Sequence, residues 1–528
     1  MVSFSNLKRT IIMVVTLCVV MNLTACKKKS ASIAFNLESE PVTLDPQIAS
    51  DYSSNLIIMN LFEGLTRIDE NGNAVEGVAE SWETNENKTR YVFHLRKDAV
   101  WSDKDSSRVT ANDFVFAVKR AISKGTMSSR VSDLYCIKNA QLINQSDGDI
   151  STLGISAHDD YTLVFDLESS YEKFPVIVAR APFMPCHEKF FDKCDGSYGR
   201  DAKSLVCNGP FRLSGDGAWS EKSISLVKNE KYFGIHNPDC NYLNFTFGDE
   251  LKSPVDLLER EKYSILRVTP DDARLAKEKG FCVNFQEDEV WGIAFNLSNE
   301  SDFNDTSVRK TLLSAIDRDY VLSEAFSYCN KTSNIIMSDS DVDGQNYRKE
   351  VGDIGGIGFA GQEAVGMLQG KKIPNFTLKC RESEKVIVSK VLECWNKNLG
   401  GYFNMKPLDI SKYGQVIDCA DYNAILCPLK PDGSTPQDFL KKFKSDSKEN
   451  MCCMSDGKYD SLVNDIESKK DVNLKINAIL IAEKYLLENG VFYPLYTSGK
   501  IFAINPKISG VIFHPYDVGV DFTNVKFG

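Results

Sequence analysis

The sequence predicts a mixed α and β protein of two or three domains behind a secretory leader. About 500 of its 528 residues lie beyond that leader, more than one hydrophobic core normally organises. Short β-prone runs and stretches with helical spacing both occur near its start. Hydrophobic residues make up 42% and charged residues 26%, an ordinary globular balance, and after residue 23 no apolar run is long enough to span a bilayer. A net charge of -11 argues against nucleic acid as a partner, because phosphate binding needs a basic patch.

Lys8 and Arg9 precede an apolar stretch from Ile11 to Leu23 that ends in Leu23-Thr24-Ala25-Cys26. A charged start, an apolar centre and small residues before a cysteine form a lipobox, whose cleavage leaves Cys26 as a lipidated N-terminus. The run of about 13 residues falls short of the roughly 20 that a spanning helix needs. Cys18 reads as a small hydrophobe of the leader, and Lys27 to Ser32 as a polar tether. The expected location is the periplasm or cell envelope, with a soluble body held to the membrane by lipid. Of 15 cysteines, loss of Cys18 and lipidation of Cys26 leave 13, an odd number that cannot all pair within one chain. They are scattered rather than grouped as repeated CxxC pairs, which argues against a zinc ribbon.

Along the body, Ser32 to Leu37 is β-prone, and Pro41 and Pro46 punctuate the extended loop that follows. A helix then runs to Leu61-Phe62-Glu63-Gly64-Leu65. Asp69 to Asn73 is a turn, since Asn-Gly tolerates positive φ. Tyr91 to Arg96 alternates as a strand, and Thr110-Ala111-Asn112-Asp113 caps a helix over Phe114 to Ile122.

These segments, read in order, carry a resemblance. Leu44-Asp45-Pro46, Leu61 to Leu65, Gly77-Val78-Ala79-Glu80-Ser81-Trp82, Trp101-Ser102-Asp103, Val109 to Phe114, Asn208-Gly209-Pro210-Phe211, Val227 to Phe233, Val308-Arg309 and Ala315-Ile316-Asp317-Arg318 fall at the spacing of one family. The chain resembles the oligopeptide-binding proteins, solute-binding protein family 5, that serve peptide and nickel ABC importers. Only residues 337–370 match poorly.

The resemblance implies an α/β, two-lobed periplasmic-binding-protein fold with a hinge and an additional domain inserted in the first lobe. After a signal peptide (1–25) and a lipidated tether (26–32), lobe I would take 33–62, 187–287 and 503–528. The inserted domain would be 63–186, and lobe II 288–502. It further implies no enzyme activity, no cofactor and no metal. The implied partners are short peptides, the permease and ATPase subunits of an ABC importer, and the membrane through the lipid, with the body a monomer.

Peptide-binding members place a carboxylate in the second lobe, in a segment like Gly-Trp-x-x-Asp-Tyr, to receive the ligand's ammonium group. From Tyr422 onward this chain aligns without a gap and puts Asp432 there, in Pro428-Leu429-Lys430-Pro431-Asp432-Gly433. A charge-assisted pair of this kind contributes roughly 1.5–3 kcal/mol. Pro-Asp-Gly is also a strong turn signal, and both readings hold together. Leu429 stands where tryptophan is usual, Gly433 replaces tyrosine, and Lys430 either neutralises Asp432 or faces solvent. Asp432, Leu429, Lys430, Gly433 and, from the cleft-side segment Ser50 to Asn55, Tyr52 are therefore the expected ligand-binding residues. Main-chain pairing with an extended ligand would add affinity without side-chain demands.

Other motifs fail on context. Gly356-Ile357-Gly358-Phe359-Ala360-Gly361 matches GxGxxG, but the polar stretch Asp341 to Asp353 before it reads as a loop rather than the strand a dinucleotide site needs, with a helix at Gln362 to Leu368 after it. His187-Glu188 lacks the second histidine of HExxH, because position 191 is Phe. Cys186, His187 and Cys194 are a weak metal alternative, and His94 reads as structural. No nucleophile, base and orienting group assemble into a hydrolase. Alternatives to a peptide receptor are the same fold binding a metal complex, haem or muropeptide, or a surface sensing protein without transport.

Overall fold

The structure, a computed structural model, describes residues 31–528 apart from 71, 147, 249–250, 299–300, 324–328, 402, 419, 432–434, 470 and 515–518. Cys26, Asp432 and Gly433 of the expected functional residues lie outside the described residues. Among the described residues, no helix is long and apolar enough to cross a membrane.

One large sheet runs through the molecule. Ten of its strands are β1 (Ser32–Asn36), β2 (Phe211–Leu213), β3 (Ser223–Lys228), β4 (Tyr242–Thr246), β5 (Ile265–Arg267), β6 (Cys282–Phe295), β7 (Thr377–Arg381), β8 (Asn404–Leu408), β9 (Ala424–Leu429) and β10 (Phe492–Ile504). They lie side by side in the order β8-β7-β9-β6-β10-β5-β1-β4-β3-β2. β1 is parallel to β4 and β5, as β7 is to β8 and β9, whereas β6 and β10 are antiparallel to each other along their length. The alternation in β1 is that of a strand, with Ile33 and Phe35 buried and Ser32 exposed.

Two separate hydrophobic cores form on this sheet. The first gathers Phe35, Leu56, Phe62, Phe93, Phe114, Phe245 and Phe522, and the second Ile293, Phe295, Leu312, Trp395, Leu426 and Phe492. The first extends into a smaller four-stranded sheet, Ala79–Thr84, Arg90–Leu95, Thr162–Asp166 and Ile155–Asp159, whose Phe165 meets Phe174 with ring centroids 5.0 Å apart. A third, smaller cluster packs Leu258, Leu266 and Ala276 against Ile501 and Ala503.

Among the described residues, β6 and β10 carry the sheet from one core to the other. Val290 to Phe295 and Phe492 to Tyr496 belong to the second core, and Ile501 to Ile504 to the first and third. Between them Gln286 pairs with Lys500, Glu287 with Gly499 and Glu289 with Ser498, and the register shifts between Glu287 and Glu289, with Asp288 inserted at the shift. A bulge bends a strand pair, so a polar, irregular joint separates two apolar lobes. Gly499 is obligatory there, because a Cβ would collide with the Gln286 carbonyl.

Three helices pack on the two cores. α1 (Tyr52–Leu61) is capped by Asp51, whose Oδ1 accepts from the Ser54 amide at 2.8 Å, and Ser53 to Leu61 are all buried. Its buried Asn60 is satisfied by donating to the Leu56 and Val520 carbonyls. α2 (Ala111–Ile122) begins with the expected capping box between Thr110 and Asp113, a device that contributes about 1 kcal/mol. α3 (Val472–Glu488) supports the second core.

The family-like motifs prove to be long-range fasteners. The Asn208 side chain accepts from the Glu63 amide at 3.1 Å and donates to the Glu63 carbonyl at 2.9 Å, while a Cβ at Gly209 would strike the Leu61 carbonyl. Asp45 takes the Arg120 guanidinium, tying the Leu-Asp-Pro loop to α2. Glu63, Arg67 and Asp521 form a buried charge triad, with the Tyr232 hydroxyl donating to Glu63 at 2.9 Å.

Two expectations change. The stretch read as a loop holds a small hairpin, Asp341–Val342 with Gln345–Asn346, and a helix, Tyr347–Val351. Glu483 on α3 orders it by accepting from the Ile335 and Ile336 amides, the Tyr347 hydroxyl and Arg348. The helix expected at Gln362 to Leu368 is a 3-10 helix, Gly361–Leu368.

Candidate ligand cleft between the lobes

The joint between the cores opens into cavities on which both lobes border. Next to it, a small recess is lined by Tyr52, Asp288, Lys430, Pro431, Lys500 and His514. Tyr52 arrives at the first turn of α1, Lys430 directly after β9, and Lys500 and Asp288 from the joint itself. Lys500 Nζ stands 3.8 Å from the centre of the Tyr52 ring and 3.9 Å from an Asp288 oxygen. Burial, and then Glu289, push the Asp288 carboxyl above the usual range, against the opposing pull of Lys500, Lys430 and Arg267.

A second cavity of about 630 Å³ continues past Lys430 and Pro431. Ser50, Ser129 and Arg130 border it from the first core's side, and Pro428, Lys442, Lys448 and Met451 from the second's. A third cavity, about 860 Å³, lies where Arg267 and Asp272 face Trp291, Arg381, Glu384 and Tyr496. Trp291 stacks on Tyr496 with an interplanar angle of 3°, and its Nε1 donates to Glu289 at 2.7 Å and Ser498 at 2.9 Å. The Tyr496 hydroxyl donates to Glu384 at 2.6 Å. The carboxylates Glu289 and Glu384 thus have partners. Arg381 differs: its guanidinium is 4.9 Å from the ring centres of both Trp291 and Tyr413, and its buried Nε has no hydrogen-bond partner among the described residues.

Of the residues expected from sequence, Tyr52 and Lys430 come together at the small recess. Leu429 pairs with Val290 across the sheet and is fully buried in the second core, so it supports Lys430 from behind. Sequence reasoning missed Asp288, Lys500, Trp291 and Arg381. The available signal was the acidic run Glu287 to Glu289 interrupting an otherwise β-prone stretch. Among the described residues, no group of three or more His, Cys, Asp or Glu could hold a metal ion.

Two lobes, a polar joint and a cleft with aromatic walls define a solute-capturing receptor. The profile of the "Bacterial extracellular solute-binding proteins, family 5 Middle" matches residues 73–449, and the chain belongs to this family of extracytoplasmic substrate-binding proteins, which are not enzymes. The chain is 23% identical to the dipeptide-binding protein DppE of Bacillus subtilis over 91% of this chain and 89% of that protein. It is 26% identical to the probable deoxycholate-binding periplasmic protein YgiS of Escherichia coli, over 91% and 90%. Among solved structures, Listeria monocytogenes OppA bound to peptide superposes with a TM-score of 0.71 at 22% identity, covering 95% of this chain and 99% of that one.

Proposed function

We propose that the protein is a lipid-anchored receptor that captures short peptides between its lobes and delivers them to the permease of an ABC importer. Arg381 carries this reading. A guanidinium held by two aromatic rings, with no hydrogen-bond acceptor at Nε among the described residues and facing an interlobe cavity, offers a planar fork to a ligand carboxylate. Asp432, two residues after Lys430 in the sequence, supplies the complementary charge for the ligand's ammonium group, and the lipid on Cys26 keeps the receptor beside its transporter. The segments 33–62, 187–287 and 503–528, with 63–186 inserted, move against 288–502 about the joint at Glu287 to Glu289. Closure of this kind buries a ligand between two rigid bodies. The relatives named for dipeptides and oligopeptides support a peptide as the cargo.

A second reading has one observation in its favour. Stacked Trp291 and Tyr496 beside Arg381 also suit a rigid apolar acid, the chemistry in the name of the deoxycholate-binding relative. Titration of the Trp291 fluorescence separates the two. Saturable change with short peptides, recovered uncut, supports the first reading, and a response to a bile acid alone replaces it with the second.

A further inference from the structure

The small hairpin at 341–346 joins the two cores at a place outside the strand joint. Its Val342 is buried in the second core, whereas Phe174, next to Lys173, is buried in the first. Between them Lys173 Nζ donates to Asp341 Oδ2 at 2.6 Å, with 39% and 20% of the two side chains exposed. The turn itself lies against the same segment, since a Cβ on Gly344 would come within 3.2 Å of the Lys173 side chain and 3.3 Å of Glu172.

An exposed ion pair alone contributes about 0–1 kcal/mol, because two side chains must be ordered to form it. Here both sides are ordered beforehand. Asp341 accepts from the Gly344 amide at 2.8 Å through Oδ1, which leaves Oδ2 for Lys173, and Asp343 in the turn takes Lys475 of α3. Asp343 and Gly344 have φ of 47° and 101°, the left-handed pair that a tight two-residue hairpin requires. Opposite them, the hydroxyl of buried Tyr91 donates to the Tyr171 carbonyl at 2.8 Å and the Glu172 carbonyl at 3.2 Å, which anchors the Lys173 segment to the four-stranded sheet. A second charge contact crosses the same boundary. Burial pushes the Asp438 carboxyl, in the helix Pro436–Leu440 of the second core, above the usual range, and the opposing pull comes from Thr435, Lys441 and, across the boundary, Arg180.

We infer that the hairpin is a clasp, which grips the inserted domain through Lys173 when the lobes close, so that closure is held there as well as at the strand joint and is weakened by salt. The inference rests on the lobe motion proposed above and adds what holds the closed state. The hairpin falls within residues 337–370, outside the motifs that carry the family resemblance. A contact that must break before the lobes part slows the escape of whatever the cleft holds.

Small-angle X-ray scattering of the purified full-length protein reads the ratio of closed to open molecules with no ligand required. That ratio is expected to fall about threefold in Asp341→Asn, which keeps an acceptor for the Gly344 amide, and at least as far in Lys173→Glu, which leaves the hairpin untouched. Salt separates the two variants from the unaltered protein. Added salt opens the unaltered protein, has little effect on Asp341→Asn, and closes Lys173→Glu by screening the repulsion between Glu and Asp341. If both variants keep the closed ratio and salt response of the unaltered protein, while a mixture of short peptides still compacts all three, the clasp is overturned and the lobe motion stands. One unchanging shape in all three proteins, at low and high salt and with or without that mixture, overturns both.

Discussion

Lys500 Nζ sits 3.8 Å over the ring of Tyr52, joining the first turn of α1 to the strand that crosses between the lobes. The contact places an aromatic face of one core against a cation of the joint, within reach of the half-buried Asp288. Such pairs contribute about 0.5–2 kcal/mol when partly desolvated.

Tyr52→Ala removes that face from the cleft. Peptide affinity is expected to fall about fivefold, read by fluorescence titration, while the midpoint of thermal unfolding moves by only a few degrees. Unchanged affinity would take Tyr52 out of the ligand site.

Asp432→Asn keeps the size of the side chain and removes its charge. Binding of peptides with a free amino terminus is expected to weaken by about tenfold, and binding of their N-acetylated forms much less. Equal losses in both series would show that Asp432 shapes the loop and does not receive the ammonium group.

Arg381→Leu is expected to weaken peptides with a free carboxy terminus by about tenfold or more, with C-amidated peptides little affected. Arg381→Lys should recover only part of the loss, because an ammonium cannot lie flat between Trp291 and Tyr413 or present a two-pronged donor. Full recovery by lysine would argue that charge alone is used.

Asp521 ties the C-terminal segment to Arg67 at 2.9 Å, in an environment from which both side chains exclude water. Burial alone would raise the Asp521 carboxyl, but Arg67, His514 and Thr523 outweigh it and hold the group far below the usual carboxylate range. A depressed folded-state value stabilises the fold at pH above the unfolded value of about 3.9, and the stabilisation is lost as pH falls below that value and the unfolded chain takes up the proton first. Asp521→Asn should cost about 3–5 kcal/mol at neutral pH in denaturant unfolding, and the difference from the unaltered protein should shrink under acid. A difference that stays constant from pH 7 to about 3 would contradict this assignment.

Local chemistry made several elements legible in the sequence. The strand of Ser32 to Leu37, the turn at Gly72 with φ of 81°, and the Thr110 to Asp113 capping box depend on neighbours within a few residues. The hairpin and helix at 341–351 were not legible, because their order comes from Glu483, more than a hundred residues away, and nothing in the polar run announces that partner. The cleft divides in the same way. Tyr52 and Lys430 could be named from motif position, whereas Arg381 became a candidate only when the fold placed it against Trp291 and Tyr413 and beside the cavity that Tyr496 also lines.

Native mass spectrometry of the protein purified from an extracytoplasmic compartment, with release and sequencing of whatever accompanies it, tests the central claim most directly. The account predicts a ladder of short peptides, bound one per chain. A single non-peptide mass in their place would keep the receptor fold and contradict peptide capture.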